Sequence, residues 1–591
     1  MSNSPGRGLS NRAPVARSQD FVRVRDLPVR GDGSYPANLA AELTRLCRTD
    51  GGAQRGVMLR EVQAKALYDL GTYKQGFFPL RVGTGKTLLS FLAPRMVGAQ
   101  RPLLLLPASL LEKTDREWRR ASSDWKVSQQ LRMMSYELLG RVSGANKLDL
   151  IKPDLIIADE CHKLKNHRAA VTRRVERFMR ANPRTMFVPM SGTIMKKSIK
   201  DFAHLLEWSH GQNSPLPLYQ ATLLEWAEAL DEGVNPFQVR APGVLLDLMP
   251  RGSVSDHPSD AEDDGQNRLA RRIFQKRAVA TAGIVVADTV DDFTGSLEID
   301  ALEYTPNETT DANFKILRET MCRPDGWALS EAMQAWAVAR QLALGLHYAW
   351  DPAPPQEWLD ARKQWAAFVR DTLASPRSAA AGIDSELQVA NGVLRGEIPD
   401  EFGVLEHWRK IKPTFGINPK DVWHDDSALK VCAEWLAKHP RGIVWCEHQF
   451  FARTLSRITG VPYYGAQGLD AKGNFIEDHP SGSPVIASIA ANCTGRNLQF
   501  KWSENLVTAP PSDSERWEQL IARTHRPGQT EDSVSVDVLV ACREHLESIP
   551  RALASSDVKA DMLGFSQKLR IADLVWPDGG PAAGRHGPRW A

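Results

Sequence analysis

The sequence predicts an α/β protein in which two parallel-sheet domains flank a helical insertion. Short apolar runs recur in both halves of the chain, and a turn or a helical pattern follows each run. Apolar runs without alternation are typical of strands that are covered on both faces, as in a parallel sheet. The runs are GFFPLRV (76–82), RPLLLLP (101–107), PDLIIADE (153–160), TMFVPMSG (185–192), RGIVWCE (441–447), SPVIASI (483–489), ENLVTAP (504–510) and VSVDVLVA (534–541).

The middle of the chain has a different pattern. Helical spacing recurs in DFAHLLEWSH, ATLLEWAEALDE and SEAMQAWAVARQLALGLHYAW, and the hydrophilic stretch 253–267 indicates a disordered loop. Many of the 17 tryptophans fall here, where helical spacing favours core packing over base stacking. We predict a flexible N-terminal arm (1–20), a first sheet domain (21–200), a helical insertion (201–435), a second sheet domain (436–550), and a C-terminal extension with a Gly/Pro-rich tail (551–591).

Composition excludes several classes of protein. The 591 residues allow about three to four domains, and a net charge of +3 gives no overall field for nucleic acid, so any basic surface is local. Seven scattered cysteines without a C-x-x-C pair argue against a zinc module or a disulfide framework. No apolar run approaches the roughly 20 residues that span a bilayer. The N-terminus has no secretory core, so we expect a cytoplasmic protein without membrane contact.

The segment GTGKT (83–87) contains most of a phosphate-binding loop, with Leu80 where the G-x-x-x-x-G-K-[ST] pattern begins. It lies between a predicted strand and a predicted helix. Backbone N–H groups at the helix start can receive phosphates, since Gly83 and Gly85 let the backbone approach. Lys86 can reach the terminal phosphates and Thr87 can hold Mg²⁺. An ordinary glycine turn is the alternative, but it does not require Lys-Thr. The pattern predicts ATP and Mg²⁺ as ligands.

Two acids, Asp159 and Glu160, follow the predicted strand DLIIA. Hydrolysis of a magnesium nucleotide needs one carboxylate to position the metal and a second to orient the attacking water. We assign these roles to Asp159 and Glu160 in that order. A pair of solvated acids at a strand end is the alternative interpretation. His162 has no cysteines at zinc-ligand spacing, so we set a zinc site aside.

Two arginines three residues apart, Arg523 and Arg526, occur in QLIARTHRPGQ (519–529). This spacing predicts that both lie on one helical face. Guanidinium groups from a second domain can stabilise charge on a transferring phosphoryl group. A solvent-facing basic helix is the alternative, which the flanking Gln519 and the terminator Pro527-Gly528 disfavour.

With these segments in place, the chain resembles the superfamily 2 helicases and translocases, most closely the Swi/Snf-related translocases of double-stranded DNA. The resemblance covers most of residues 55–545, and its motifs occur in the family's order. The segments that carry it are MLREVQAKAL (58–67), PLLLLPASLLEKTDREW (102–118), MSYELL (134–139), DECHKLKN (159–166), MSGTIM (190–195), GRNLQ (495–499) and QLIARTHRPGQ (519–529).

The resemblance implies two RecA-like domains that open and close around nucleic acid as ATP is hydrolysed. It implies that double-stranded DNA is favoured over single strands or RNA, and it names no protein partner. By the same resemblance, further residues take roles in nucleotide binding or in coupling. Gln63 would contact adenine, Thr84 and Gln519 would contact the nucleotide, and Ser191, Thr193, Gly495 and Asn497 would couple ATP state to domain movement.

The sequence departs from the family at four positions that carry no required chemical group. Leu80 replaces a small or acidic residue, Ile194 a proline, Ala522 a glycine and Arg496 a leucine. Hydrolysis is therefore still expected. The departures concern how efficiently ATP hydrolysis is coupled to domain movement.

Two other functions remain open on the residues alone. A viral DNA-packaging motor would carry an acidic metal cluster after its ATPase domain, where this chain has GRNLQ and paired arginines. A scaffold that binds DNA without hydrolysis would not need Lys86, Asp159 and Glu160 together. ATP turnover with and without DNA separates these functions.

Overall fold

The chain divides into two compact units. Unit 1 comprises Met1–Val290 and Ser555–Gln567, and unit 2 comprises Asp291–Ala554 and Lys568–Ala591. The helix Ser548–Leu563 has residues in both. The computed structural model describes residues 12–30, 35–81, 83–167, 169–191, 198–231, 239–248, 263–286, 295–320, 323–324, 332–352, 355–375, 383, 386–415, 418–563 and 567–577.

The described part of unit 1 contains a four-stranded parallel sheet. Its strands lie in the order β2-β1-β3-β4, so all four carboxyl ends meet at one edge of the sheet. The strands are β1 (Pro102–Leu106), β2 (Arg132–Ser135), β3 (Leu155–Asp159) and β4 (Met186–Met190). The α-helices described wholly in unit 1 are Gln19–Arg25, Leu39–Cys47, Asp50–Gln54, Glu61–Tyr73, Lys86–Val97, Leu111–Asp124, Tyr136–Gly140, Lys147–Ile151, Ala170–Ala181, Lys200–His210, Gln220–Leu230 and Asp263–Val279.

Both faces of this sheet are covered, which explains its continuous apolar runs. Side chains of a strand alternate between faces. Leu103 and Leu105 join one core with Phe178, whereas Leu104 and Leu106 join a second core with Leu92. All five residues of β1 are buried. The apolar pattern therefore predicted β1, β3 and β4 correctly, whereas β2 was not among the predicted runs.

The predicted strand GFFPLRV is much shorter in the structure. Phe78 forms a parallel bridge to Met190 of β4, and Phe77 bridges Ile284. Pairing stops there because Pro79 has no N–H to continue a ladder, and the N–H of Leu80 turns back to the carbonyl of Phe78 at 2.9 Å. The chain still leaves at the carboxyl edge of the sheet, where the glycine-rich loop follows.

The described part of unit 2 contains a seven-stranded parallel sheet in the order β13-β5-β12-β11-β8-β10-β9, and a separate antiparallel pair of β6 and β7. Its strands are β5 (Ser296–Glu303), β6 (Leu346–Trp350), β7 (Pro419–Trp423), β8 (Gly442–Cys446), β9 (Tyr463–Tyr464), β10 (Val485–Ser488), β11 (Glu504–Val507), β12 (Ser533–Val540) and β13 (Asp573–Val575). The α-helices described wholly in unit 2 are Glu308–Thr320, Ala332–Ala343, Gln356–Ala374, Glu386–Leu394, Val404–Ile411, Ser427–Lys438, Gln449–Thr459, Ile489–Asn492, Ser514–Ile521, Arg543–Leu546 and Lys568–Ile571.

The second sheet extends beyond the predicted boundaries 436–550. β5, from the predicted insertion, pairs with β12 over eight residues, and β13, from the predicted extension, pairs with β5. β5 alternates buried and exposed residues at its start, so it has no continuous apolar run. The search for continuous apolar runs therefore did not identify β5.

The rest of the predicted insertion is partly helical, as expected. Trp358, Trp365 and Trp408 are buried in a small helical core of unit 2, so they pack as core residues. Of the predicted disordered loop 253–267, residues up to 262 lie outside the described residues, and the last five begin the helix Asp263–Val279.

The predicted N-terminal arm is packed from residue 12 onward. Val15 is buried, and its N–H donates to the carbonyl of Ala241 at 3.0 Å. Asp20 is buried and accepts the N–H groups of Leu218 and Tyr219. The prediction of a flexible arm is thus wrong for residues 12–20, because these long-range contacts leave no trace in local composition. Residues 1–11 lie outside the described part of the chain.

Among the described residues, no helix combines the length and the apolar content that crossing a bilayer requires.

Candidate active site

The glycine-rich loop runs from the carboxyl edge of the first sheet into the helix Lys86–Val97. Gly83 and Gly85 have φ of 94° and 81°, which glycine adopts without steric cost. Gly85 caps the helix, and Lys86 and Thr87 are its first two residues. The N-terminus of a helix offers N–H groups and a partial positive charge to an anion. The predicted arrangement of loop and helix is therefore present.

Lys86 lies beneath this loop. Its side chain is buried, and Nζ donates to the carbonyls of Leu80 at 3.0 Å and Arg81 at 3.2 Å. These contacts hold a positive charge at the base of the loop. Leu80, the departure from the usual pattern, is itself buried and supplies one of the two carbonyls. Thr84 closes the loop, because its Oγ1 donates to the carbonyl of Arg81 at 2.9 Å.

Gln63, expected to contact adenine, lies against the same loop. Its side-chain amide donates to the carbonyl of Thr84 at 3.0 Å and to that of Gly85 at 3.4 Å. Its Oε1 accepts the N–H of Arg60 at 3.0 Å. Arg60, which the sequence did not single out, donates to the carbonyl of Gly83 at 2.7 Å. One helix start thus contacts three successive loop carbonyls.

The acid pair, Asp159 and Glu160, lies at the carboxyl end of β3, the interior strand next to β4. Glu160 has φ 53° and ψ 48°, a left-handed conformation that is costly for a residue other than glycine. Such strain is of order 1–3 kcal/mol and clusters at functional sites. Tyr136, another residue without a predicted role, donates its hydroxyl to the carbonyl of Asp159 at 2.7 Å. The backbone at the acid pair is therefore held from both sides.

Burial raises the pKa of Asp159 well above its ordinary value, and the carboxylate of Glu160 raises it further. The ammonium of Lys86 acts in the opposite direction and lowers the pKa of Asp159. Two acids thus share a partly buried position with one lysine. A divalent cation bound here would relieve their repulsion.

Ser191 and His162 form a triangle with Glu160. The hydroxyl of Ser191 donates to Glu160 Oε2 at 3.2 Å, and His162 Nδ1 lies 3.2 Å from the same hydroxyl and 3.3 Å from Glu160 Oε2. Ser191 follows β4 and Glu160 follows β3, so neighbouring strand ends bring them together. The structure therefore joins the MSGTIM segment to the DECHKLKN segment. Thr193, the other predicted coupling residue there, lies outside the described residues.

In unit 2, the arginines do not lie on a helical face as predicted. The helix Ser514–Ile521 ends before them, and the N–H groups of Arg523 and Thr524 make tight i→i−3 bonds to Leu520 and Ile521. The chain then reaches Pro527 and Gly528, whose φ is 94°. A Pro-Gly pair favours a turn over helix continuation.

Arg523 is buried, so it does not belong to a solvent-facing basic helix. It is 3% exposed, and its guanidinium donates to the carbonyls of Gln519 at 2.8 Å and Arg496 at 2.9 Å. The Gln519 side chain, expected to contact nucleotide, is also buried and donates to Glu515 at 3.3 Å. Both residues hold the interior of unit 2.

Arg526 is partly exposed and contacts the GRNLQ segment. Its guanidinium donates to Asn497 Oδ1 at 3.1 Å and to the Arg496 carbonyl at 3.4 Å. Gly495 begins this segment with φ 67°. The structure therefore places the GRNLQ segment against the two arginines through the Arg496 carbonyl and Asn497.

Arg496, a departure from the family, has a structural explanation. Its side chain is fully buried and pairs with Glu477, with NH1 3.0 Å from Oε2. It also donates to the carbonyl of Gln467 and lies 5.9 Å from the ring centre of Phe475. We call Arg496, Arg523 and Arg526 the arginine cluster. The pairing of Glu477 was not predictable, because Glu477 lies 19 residues from Arg496, in the short 3-10 helix Ile476–Asp478.

No protein-family model matches the chain, and no curated protein matches it either.

Proposed function

We propose that this protein is an ATP-driven motor that hydrolyses ATP with Mg²⁺ and moves along double-stranded DNA. One observation carries the proposal: a glycine loop with Lys86 and Thr87, and the acid pair, lie at the same carboxyl edge of one parallel sheet. Ligands of open α/β sheets bind at this edge. In this proposal the two units are RecA-like domains with a helical insertion.

The loop residues would bind the phosphates. The helix Lys86–Val97 directs its first N–H groups and its dipole toward the loop. Lys86, now hydrogen-bonded to loop carbonyls, carries the positive charge that the terminal phosphates need. Phosphate oxygens would compete with neutral carbonyls for this ammonium, and bonds between charged partners are the stronger ones.

Thr87 and Asp159 fit Mg²⁺ because both offer oxygen, the ligand that this hard cation prefers. Among the described residues, no group of three or more His, Cys, Asp or Glu side chains is arranged to hold a metal. A site with one or two protein oxygens is the usual one for Mg²⁺, with phosphate and water as further ligands. When bound, the ion would neutralise charge on the phosphates.

Glu160 would orient the attacking water. Its carboxylate is positioned by the hydroxyl of Ser191 and by His162, and its side chain is only 12% exposed. A general base contributes typically 10²- to 10⁴-fold to a rate. The strained backbone at Glu160 fits a residue that is held for chemistry.

Unit 2 would supply charge stabilisation through Arg526. Arg523 is committed to two backbone carbonyls inside unit 2, whereas Arg526 is partly exposed. A guanidinium at a transferring phosphoryl group offers several donors in a fixed geometry. We therefore assign phosphate contact to Arg526 and a supporting role to Arg523.

The preference for DNA rests on the resemblance of motif order. Backbone contacts of such a motor would be sequence-tolerant, so binding would weaken steeply with salt. Duplex DNA should stimulate turnover more than single strands or RNA. The protein should displace the third strand of a DNA triplex, whereas it should separate the strands of a forked duplex slowly or not at all.

The first test measures ATP turnover and nucleotide affinity for Lys86→Ala and Glu160→Gln. Lys86→Ala should weaken both. Glu160→Gln should leave affinity intact and lower turnover by about 10²- to 10⁴-fold. Glu42→Gln, an exposed acid on the helix Leu39–Cys47, is the matched control and should change neither. Near-normal turnover of Glu160→Gln would contradict the proposed chemistry, and stimulation only by RNA would contradict the proposed track.

A further inference from the structure

The glycine loop is held on one side by the start of the helix Glu61–Tyr73. Gln63 is 4% exposed, and its amide donates to the carbonyls of Thr84 and Gly85. Arg60, which caps this helix, donates to the carbonyl of Gly83 at 2.7 Å. Gln63 Oε1 accepts the N–H of Arg60, so the two side chains are also tied together. We call Arg60 and Gln63 the loop clamp.

The loop clamp sets the direction of the loop's N–H groups. Within a trans peptide the C=O and the following N–H point in opposite directions. When Gln63 draws the carbonyls of Thr84 and Gly85 to one side, the N–H groups of Gly85 and Lys86 turn to the other. Left-handed glycines in such a loop create a concave set of N–H donors for anions. The clamp therefore shapes the surface that would face a phosphate.

The Gln63 side chain packs closely against the loop at Gly85. A Cβ added at Gly85 would lie 2.2 Å from Gln63 Nε2, far inside van der Waals contact. A side chain at position 85 would therefore displace the Gln63 amide from the loop, and the positive φ of Gly85 also favours glycine there. This contact shows that Gln63 is built against the loop.

The same contacts occupy the amide hydrogens that Gln63 would need to recognise adenine. A glutamine reads adenine by donating to N7 and accepting from the N6 amino group. The amide of Gln63 has two donor hydrogens, and its Nε2 already makes two bonds to loop carbonyls. Paired reading of adenine would require Gln63 to leave the loop.

We propose that Gln63 is a positioning residue of the phosphate-binding loop, not a reader of adenine, and that the site therefore accepts other nucleoside triphosphates as well as ATP. The proposal rests on the proposed nucleotide site. In this proposal, contacts with the triphosphate contribute most of the affinity for the nucleotide, and contacts with the base contribute little.

The test compares the affinities of the full-length protein for fluorescent analogues of ATP and GTP. The variants are Gln63→Ala and Gln63→Glu. The control is Glu61→Ala, an exposed residue on the same helix turn. We expect wild-type affinities for the two analogues within about tenfold of each other. Gln63→Ala should weaken both by the same factor, up to about tenfold for lost hydrogen bonds. Gln63→Glu keeps the bond to Arg60 but turns a donor into an acceptor, so its loss should be at least as large.

A second measurement uses the nucleotide-free protein. Hydrogen–deuterium exchange of the peptide around 83–88 should be faster in Gln63→Ala than in wild type or Glu61→Ala. Melting temperatures of the variants show whether each is folded. Unchanged exchange in a folded Gln63→Ala protein would overturn the clamp.

A wild-type preference for ATP above 100-fold that Gln63→Ala abolishes would also overturn the proposal, because Gln63 would then read the base. Binding of both analogues without hydrolysis of either triphosphate would overturn the motor function and leave the clamp supported. Failure of both to bind would overturn the two proposals together.

Discussion

The acid pair of unit 1 and the arginine cluster of unit 2 hold their charges in opposite ways. Asp159 and Glu160 stand at a strand end, partly exposed, on a strained backbone, and side chains of Ser191 and His162 support them. In the arginine cluster, Arg496 and Arg523 are buried with their partners: Arg496 pairs with Glu477, and Arg523 donates to two backbone carbonyls.

This difference supports the proposal that the acid pair binds a ligand, whereas the contacts of Arg496 and Arg523 stabilise the fold of unit 2. Burial and the neighbouring Glu160 raise the pKa of Asp159, and a cation bound beside the two carboxylates would relieve their repulsion. A buried guanidinium bonded to carbonyls already has its partners. Within the cluster, Arg526 differs because it is partly exposed. The comparison is therefore consistent with the proposed roles of the acid pair and of Arg526.

The largest expected effect is on turnover and comes from Arg526→Ala. Loss of an arginine at a transferring phosphoryl group costs about 10³-fold or more in rate. We expect this loss with an unchanged melting temperature, because the Arg526 side chain is partly exposed. Steady-state ATPase assays and thermal melts measure both. Arg457→Ala, an exposed arginine on the helix Gln449–Thr459, is the control. Wild-type turnover in Arg526→Ala would contradict its proposed phosphate contact and would indicate that all three arginines of the cluster have structural roles.

The variant Glu477→Ala tests the structural role of the buried Arg496. It leaves the fully buried Arg496 without its carboxylate, and removing one partner of a buried pair costs about 3–5 kcal/mol of stability. Urea unfolding of unit 2 measures this loss. Glu319→Ala, which breaks an exposed pair with Lys315, should leave the unfolding midpoint in place. A similar small change in both variants would show that Arg496 finds other partners.

Asp231 tests whether a raised pKa alone marks a functional acid. Burial raises its pKa to about 6, and its Oδ1 accepts the N–H of Ile199 at 2.8 Å. The folded state thus binds the proton more tightly than the unfolded state. Stability from this group is present below the unfolded value and is lost as pH rises through about 6. At about 1.4 kcal/mol for each unit, the loss is about 3 kcal/mol.

Asp231→Asn mimics the protonated form and should remove this pH dependence while ATP turnover is unchanged. Urea unfolding of unit 1 at pH values from 4 to 7 gives the profile. If turnover also fell, Asp231 would have a role in the reaction in addition to its effect on stability.

The smallest expected effect is that of Ser191→Ala. It removes the hydroxyl that donates to Glu160, so the carboxylate should orient water less well. One hydrogen bond corresponds to a decrease of up to about tenfold in turnover, with nucleotide affinity retained. Ser122→Ala, a serine that bonds only within its own helix at the Trp118 carbonyl, is the control. An affinity loss in Ser191→Ala would place its role in binding.

The sequence by itself determined the local features of this protein. Continuous apolar runs predicted β1, β3, β4 and β8, because strands buried on both faces need apolar residues at every position. The glycine loop before a helix and the acid pair at a strand end were also predicted, because each of these features is formed by residues that are neighbours along the chain.

Only the tertiary structure decided features that depend on distant partners. The pairing of β5 with β12 joins segments more than 230 residues apart, and local pattern does not encode it. The contact of Gln63 with Thr84, the triangle of Ser191, His162 and Glu160, and the burial of Arg523 arise in the same way. In each, the role of a polar side chain is set by which backbone or side-chain group the fold places opposite it, and residue type and spacing do not specify that partner.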